Sequence, residues 1–362
     1  MNDAQLTRWA ELLTGYCLEL AAGEMVLISA GWEARPLVEA CFRAAVARGA
    51  YPLLRMEPPG LLEHFIAHAP EALLDAPAPL AVLEAERVQA RIRIEAESDT
   101  RALARVDAAR QARYNRGRDA VRRASARQRW VLTQFPTAAY AADADIPLDR
   151  YEAFVAGAMF LDDADPASSW RALGFRQAGL VDFMTSARVI RIECDGTDLT
   201  LDVSGRRWIN SDGRRNMPSG EIFTGPIESS ARGRLRCAVP VQRDGRRLEG
   251  IELEFQAGVV TAARADVGDE YLNAMLDLDD GARRVGELGI GLNHGIERFT
   301  GSILYDEKIG GTIHVALGRS YPETGGRNES ALHWDLIVDT RRGGRVTVDG
   351  CVAMENGRWL VG

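Results

Sequence analysis

The hydrophobic period of this chain changes once, near residue 187, and the change requires two architectures in series. Before it, "AQLTRWAELLTGYCLEL" and "RPLVEACFRAAVARGA" carry apolar residues at helical spacing. The short runs "EMVLISA", "YPLLRM", "PLAVLEA" and "RWVLTQF" read as strands, with a long helical pattern between the last two. Strands separated by helices imply a parallel sheet with helices on its faces. A Rossmann-like α/β domain is therefore predicted over residues 1–186. No G-x-G-x-x-G follows the first strand, so nothing points to a bound dinucleotide.

After residue 187 the texture alternates apolar with polar. "ARVIRIECDGTDLTLDVSG" reads as a hairpin about an Asp-Gly-Thr-Asp turn, and "LEGIELEFQAGVVTAARAD" as a second strand pair. "GDEYLNAMLDL" is a short helix, and "GTIHVALG", "ALHWDLIVD" and "RVTVDGCVAMENGRWLVG" close the chain as strands. This predicts an α+β, mainly antiparallel domain over residues 187–362. A length of 362 residues suits two such cores.

Composition removes several function classes. A net charge of −8 gives no general attraction to nucleic acid or anionic lipid. Residues 101–129 hold ten arginines against only Asp107 and Asp119, which reads as a solvated helix side or a partner surface. No stretch approaches twenty apolar residues, so no membrane span is expected. The start, "MNDAQLTRWAELL", lacks the pattern of a secretory signal. The five cysteines form no C-x-x-C pair and no disulfide framework, so a reduced, cytoplasmic protein is expected.

Lys308 is the only lysine among 44 basic residues. Arginine is a planar fork and lysine a compact point charge, so a lone lysine marks a place where a fork does not fit, unless it is a coding accident.

Three of the five histidines, His294, His314 and His333, lie in the second half. His333 and Asp335 are two apart on a strand and so point to one face, with Trp334 facing the other way. His314 interrupts the apolar strand "TIHVALG". Glu221 and Glu287 each follow a glycine and precede an apolar residue, which suggests carboxylates drawn inward. Buried carboxylates need partners, and a metal ion is one. Together, Glu221, Glu287, His314, His333 and Asp335 are too many for one tetrahedral zinc. They suit two divalent ions about 3.5–4 Å apart with a carboxylate between them. Three carboxylates leave such a pair with one surplus positive charge, which favours a hydroxide between the ions as nucleophile. The absence of cysteine ligands points to Zn, Mn or Co. His64 and His68 share a helix face, but without H-E-x-x-H they read as surface or packing residues.

The blocks "NMPSGEIFTGP", "GELGIGLN", "ILYDEKIGGTIHVALGRSYP" and "NESALHWD" resemble the thermophilic metallo-aminopeptidase family, the aminopeptidase T and aminopeptidase S group. The resemblance runs in order along the second half and more loosely into the first. It implies a two-domain, homodimeric hydrolase that cleaves the N-terminal peptide bond of a peptide substrate at a two-metal site. It matches the same five residues to the metal ligands, with Glu287 as bridge or base. Tyr321 matches a tyrosine near the metals, where it would donate to the oxyanion. Lys308 would pair with a ligand carboxylate or meet a charged substrate. Two other readings remain open on the sequence. One is a related Fe(II) dioxygenase that opens a hydroxylated pyridine, with His314, His333 and Asp335 as its triad. The other is a metal-binding protein of the same fold without activity.

Overall fold

The computed structural model describes residues 1–361. Contacts divide the chain into two compact units. The first comprises residues 1–167 and 213–218, the second residues 168–212 and 219–361, so the change of period near 187 falls inside the second unit.

The first unit holds a parallel five-stranded sheet ordered Tyr51–Glu57, Met25–Gly31, Ala90–Glu95, Arg129–Gln134, Asn216–Met217. Helices connect the strands, as alternating signals require. One expectation fails here. "PLAVLEA" is not a strand but the start of a helix, Pro79–Arg87, with Pro79 in its first turn, where a missing N–H is harmless. Its leucines Leu80 and Leu83 face solvent, and only Ala85 is buried. The third strand is instead Ala90–Glu95, in which Ala90, Ile92 and Ile94 are buried and the residues between them are half-buried.

The arginine-rich segment stitches helices together. Arg110 donates to the carbonyls of Ile66 and Ala69, and Arg118 to those of Leu73 and Ala76. These are carbonyls at or beyond the C-terminal turns of helices Leu61–His68 and Glu71–Asp75, left without intrahelical partners. Arg113 pairs with Asp75 and Glu71 on the second of them. No helix among the described residues is long and apolar enough to cross a membrane.

The second unit contains an eight-stranded sheet and a five-stranded sheet, both antiparallel. The predicted hairpin forms from Val189–Cys194 and Thr197–Asp202, and the second pair from Ile251–Gln256 and Val259–Arg264. The five-stranded sheet runs His333–Val338, Ile313–Gly318, Val285–Gly291, Glu221–Thr224, Ile209–Ser211. Its strands are named below by the site residue each carries. One hydrophobic cluster joins Leu199, Leu201, Leu235 and Leu253 of the larger sheet to Leu288, Val315, Leu317 and Leu336 of the smaller. The smaller sheet thus has one apolar face, and its other face is left for chemistry.

Leu253 is fully buried in that cluster. Leu253→Ala removes three buried carbons and leaves a cavity, so it is expected to cost about 2–5 kcal/mol of stability, read from the urea-unfolding midpoint.

Candidate metal centre

All five sequence-selected residues meet on the open face of the smaller sheet. The register explains how. Across the ladders, Glu221 lies opposite Gly291, Glu287 and Asp335 opposite Ala316, His314 opposite Gly289 and His333 opposite Gly318. Residues directly opposite share a face, so each functional side chain stands beside a glycine or an alanine. The space thus left is filled by the functional groups themselves. A Cβ on Gly289 would lie 1.9 Å from His314 Nε2.

Glu287 reaches this face through a bulge. Val285 pairs with Leu317, but Glu287 pairs with Ala316, so one extra residue, Gly286, is inserted between them. In a regular strand Val285 and Glu287 would share a face. The bulge sends Val285 to the apolar cluster and Glu287 to the site, a common use of such insertions. Gly286 has no room for a side chain, since a Cβ there would meet the Gly318 carbonyl oxygen at 2.3 Å.

Glu287 is the centre of the arrangement. Its Oε1 lies 3.2 Å from His314 Nε2 and its Oε2 3.6 Å from His333 Nε2. His314 Nε2 is also 3.5 Å from Glu221 Oε2, and His333 Nε2 is 3.7 Å from Asp335 Oδ1. Both rings are oriented by backbone: His314 Nδ1 donates to the Glu307 carbonyl at 3.0 Å and His333 Nδ1 to that of Arg319 at 2.9 Å. Each imidazole therefore aims Nε2 inward, as metal-binding histidines do. Trp334 faces the apolar cluster, as the alternation predicts.

Desolvation governs the charges. Burial pushes the Glu221 carboxyl up to about 7, against the pull of the Lys308 ammonium. Burial also raises Glu287, opposed by its hydrogen bond from His314. Burial alone would lower the His314 imidazole, but Glu287 and Glu221 lift it to about 10. His333 is raised by Asp335 and Glu287 against the same burial effect. Glu221 Oε2 is buried and accepts no hydrogen bond, a costly state that a cation would relieve. Three groups bring one ligand atom per residue within 4.8 Å of one another: Glu221, Glu287 and His314; Glu287, His333 and Asp335; Glu307, His314 and Asp335. The first two share Glu287. All donors are nitrogen or oxygen, as suits a divalent cation.

Tyr321 stands beside the cluster, its ring 5.2 Å from that of His333 and 5.5 Å from that of Phe223. Burial and the nearby Glu287 and Asp335 hold its phenol above the usual range, so it remains a donor. Lys308 is fully buried, paired with Glu307 and 3.6 Å from Glu221 Oε1. His294 is exposed and belongs to none of the three groups. His64 and His68 lie side by side on an exposed helix face, their rings 4.6 Å apart and tilted by 50°.

Several contributors escaped the sequence reading. Gln177 donates through Nε2 to the backbone carbonyl of Glu221 at 2.7 Å and to Asn210 Oδ1 at 2.8 Å, fixing the start of the Glu221 strand. Asn293 Nδ2 donates to the Ser219 carbonyl just before it. Gly289 and Gly286 shape the space, and Glu307 faces the site. Only adjacency to Lys308 could have singled out Glu307.

Three comparisons bear on this geometry. The thermophilic metalloprotease family (M29) matches residues 2–359. Aminopeptidase 2 of Geobacillus stearothermophilus is 28% identical over 93% of the chain and 92% of its own length. Aminopeptidase T of Thermus aquaticus is 29% identical over 56% of each chain, so the match spans little more than half of that relative. The solved structure of wild-type AmpT from Thermus thermophilus superposes with a TM-score of 0.86 at 25% identity, covering 99% of both chains.

Gly289→Ala would drive a methyl group into the His314 ring. It is expected to cost about 1–3 kcal/mol as an overpacking change and to shift the His314 imidazole NMR signals, while the cooperative unfolding transition persists.

Proposed function

Because the chain belongs to the thermophilic metalloprotease family (M29), we infer that it is a metallo-aminopeptidase working through a pair of divalent ions. The observation that carries the two-ion reading is the Glu287 carboxylate, which offers one oxygen to each of two inward-facing imidazoles. Glu221, Glu287 and His314 would hold one ion, and Glu287, His333 and Asp335 the other. Such ions supply Lewis acidity toward a scissile carbonyl and make a bound water acidic enough to serve as nucleophile near neutral pH.

The chain's own residues do the rest. The Tyr321 hydroxyl, kept protonated by its surroundings, donates to the oxyanion as the carbonyl carbon becomes tetrahedral. Glu287 stays fixed between the two rings and sets their spacing. A single-iron dioxygenase would need His314, His333 and Asp335 around one ion, and no group among the described residues combines those three.

The test is metal content measured alongside hydrolysis of a panel of aminoacyl amides with Zn, Mn or Co added. Two ions per chain and turnover are expected; one iron per chain, or no turnover with any of the three metals, would sink the reading. His333→Ala is expected to lose metal and turnover together. Tyr321→Phe should keep its metal but lose about a hundred- to a thousand-fold in kcat; a rise in KM alone would make Tyr321 a substrate-binding residue.

A further inference from the structure

Glu307 is a sixth acidic or imidazole side chain at the site, and its surroundings are unusual. Its backbone carbonyl orients His314, as described. Its carboxylate, in a side chain only 14% exposed, pairs with the Lys308 ammonium. That ammonium is fully buried, and among the described residues the only other carboxylate within ion-pair distance of it is Glu221, 3.6 Å away. Glu307 and Glu221 therefore share one lysine.

We propose that Glu307 is a positioning residue that takes the closer pairing with the Lys308 ammonium, so that Glu221 shares it only at 3.6 Å through Oε1 and keeps Oε2 available to a metal ion. The inference rests on the two-ion reading above. A buried ammonium must have a counter-charge, because removing it from water without one costs several kcal/mol. With Glu307 charged, the requirement is met by the adjacent residue in the chain. The pair is local and cannot drift. Glu221 then keeps one oxygen, Oε2, free of any hydrogen bond and directed toward His314 Nε2 at 3.5 Å. With Glu307 neutral, Glu221 becomes the sole counter-charge. An incoming ion must then break a buried salt bridge before it can bind. Lys308 explains its own identity in the same way. Its compact head stands between two carboxylates in a closed space, where a planar guanidinium would reach past both.

A different role must be distinguished. Glu307 also lies in one group with His314 and Asp335 and could bind an ion directly. Charge deletion separates the two roles. Zinc binding by the metal-free full chain is measured by titration calorimetry, with circular dichroism as the check on folding. Glu307→Gln is expected to weaken one of two zinc sites by about ten- to a hundred-fold, the usual scale for groups just behind metal ligands. Glu307→Gln combined with Lys308→Met removes the ammonium as well and should restore affinity to within a few-fold of wild type. Glu307→Asp keeps the charge and should also remain within a few-fold. A double variant as weak as Glu307→Gln alone would make Glu307 a ligand and overturn the inference. An unchanged Glu307→Gln protein, or a Glu307→Asp protein as weak as Glu307→Gln, would overturn it equally. Wild-type protein that binds no zinc, cobalt or manganese would overturn the two-ion reading itself, and this inference with it.

Discussion

The site depends on removing carboxylates from water. Glu221 and Glu287 are each 5% exposed, and His314 and Lys308 are fully buried. Isolated charges in such a place are strongly disfavoured. The rest of the arrangement offsets that desolvation. Two imidazoles stand against Glu287, an ammonium stands between Glu221 and Glu307, and two backbone carbonyls lock the rings in place. The raised pKa values of Glu221, by burial, and of His314, by the carboxylates around it, reflect that crowding of negative charge. A divalent cation is the natural counter-charge to it.

A sheet can hold so dense a polar cluster only if its other face supplies the stability. Here period-two alternation sorts the strands cleanly. Val315 and Leu317 go to the apolar cluster, and His314 and Ala316 to the site. The small residues opposite the functional ones are as necessary as the ligands. Larger neighbours would either displace the rings or lift them toward solvent.

Much of this could be read from residue order. His333 and Asp335 declared a shared face by their spacing, and His314 stood out because nothing else polar interrupts its strand. The parallel sheet with helices in the first half and the antiparallel second half follow from period alone. The failures have equally local causes. "PLAVLEA" looks like a strand because five of its seven residues are apolar, yet a leading proline and exposed leucines make it a helix. "ARIRIE" hides within a helical pattern because its arginines suggest solvent, although Arg93 pairs with Glu57 across the intervening strand Met25–Gly31. Glu307 escapes any spacing rule because its pairing depends on where a lysine side chain ends.

The bulge at Gly286 changes how this strand can be compared with others. Upstream of it, even and odd positions have one meaning; downstream, they exchange. Any alignment that slides strands until apolar residues coincide will match Val285 correctly and then place Glu287 in the oil, or match Glu287 and misplace Val285. A lost residue at this point would do in the molecule what the misalignment does on paper. It would leave length and composition nearly untouched while turning the central carboxylate inside out. The glycine therefore works as a frame marker, and a distant relative should be judged on whether it keeps the insertion before it is judged on whether it keeps the glutamate.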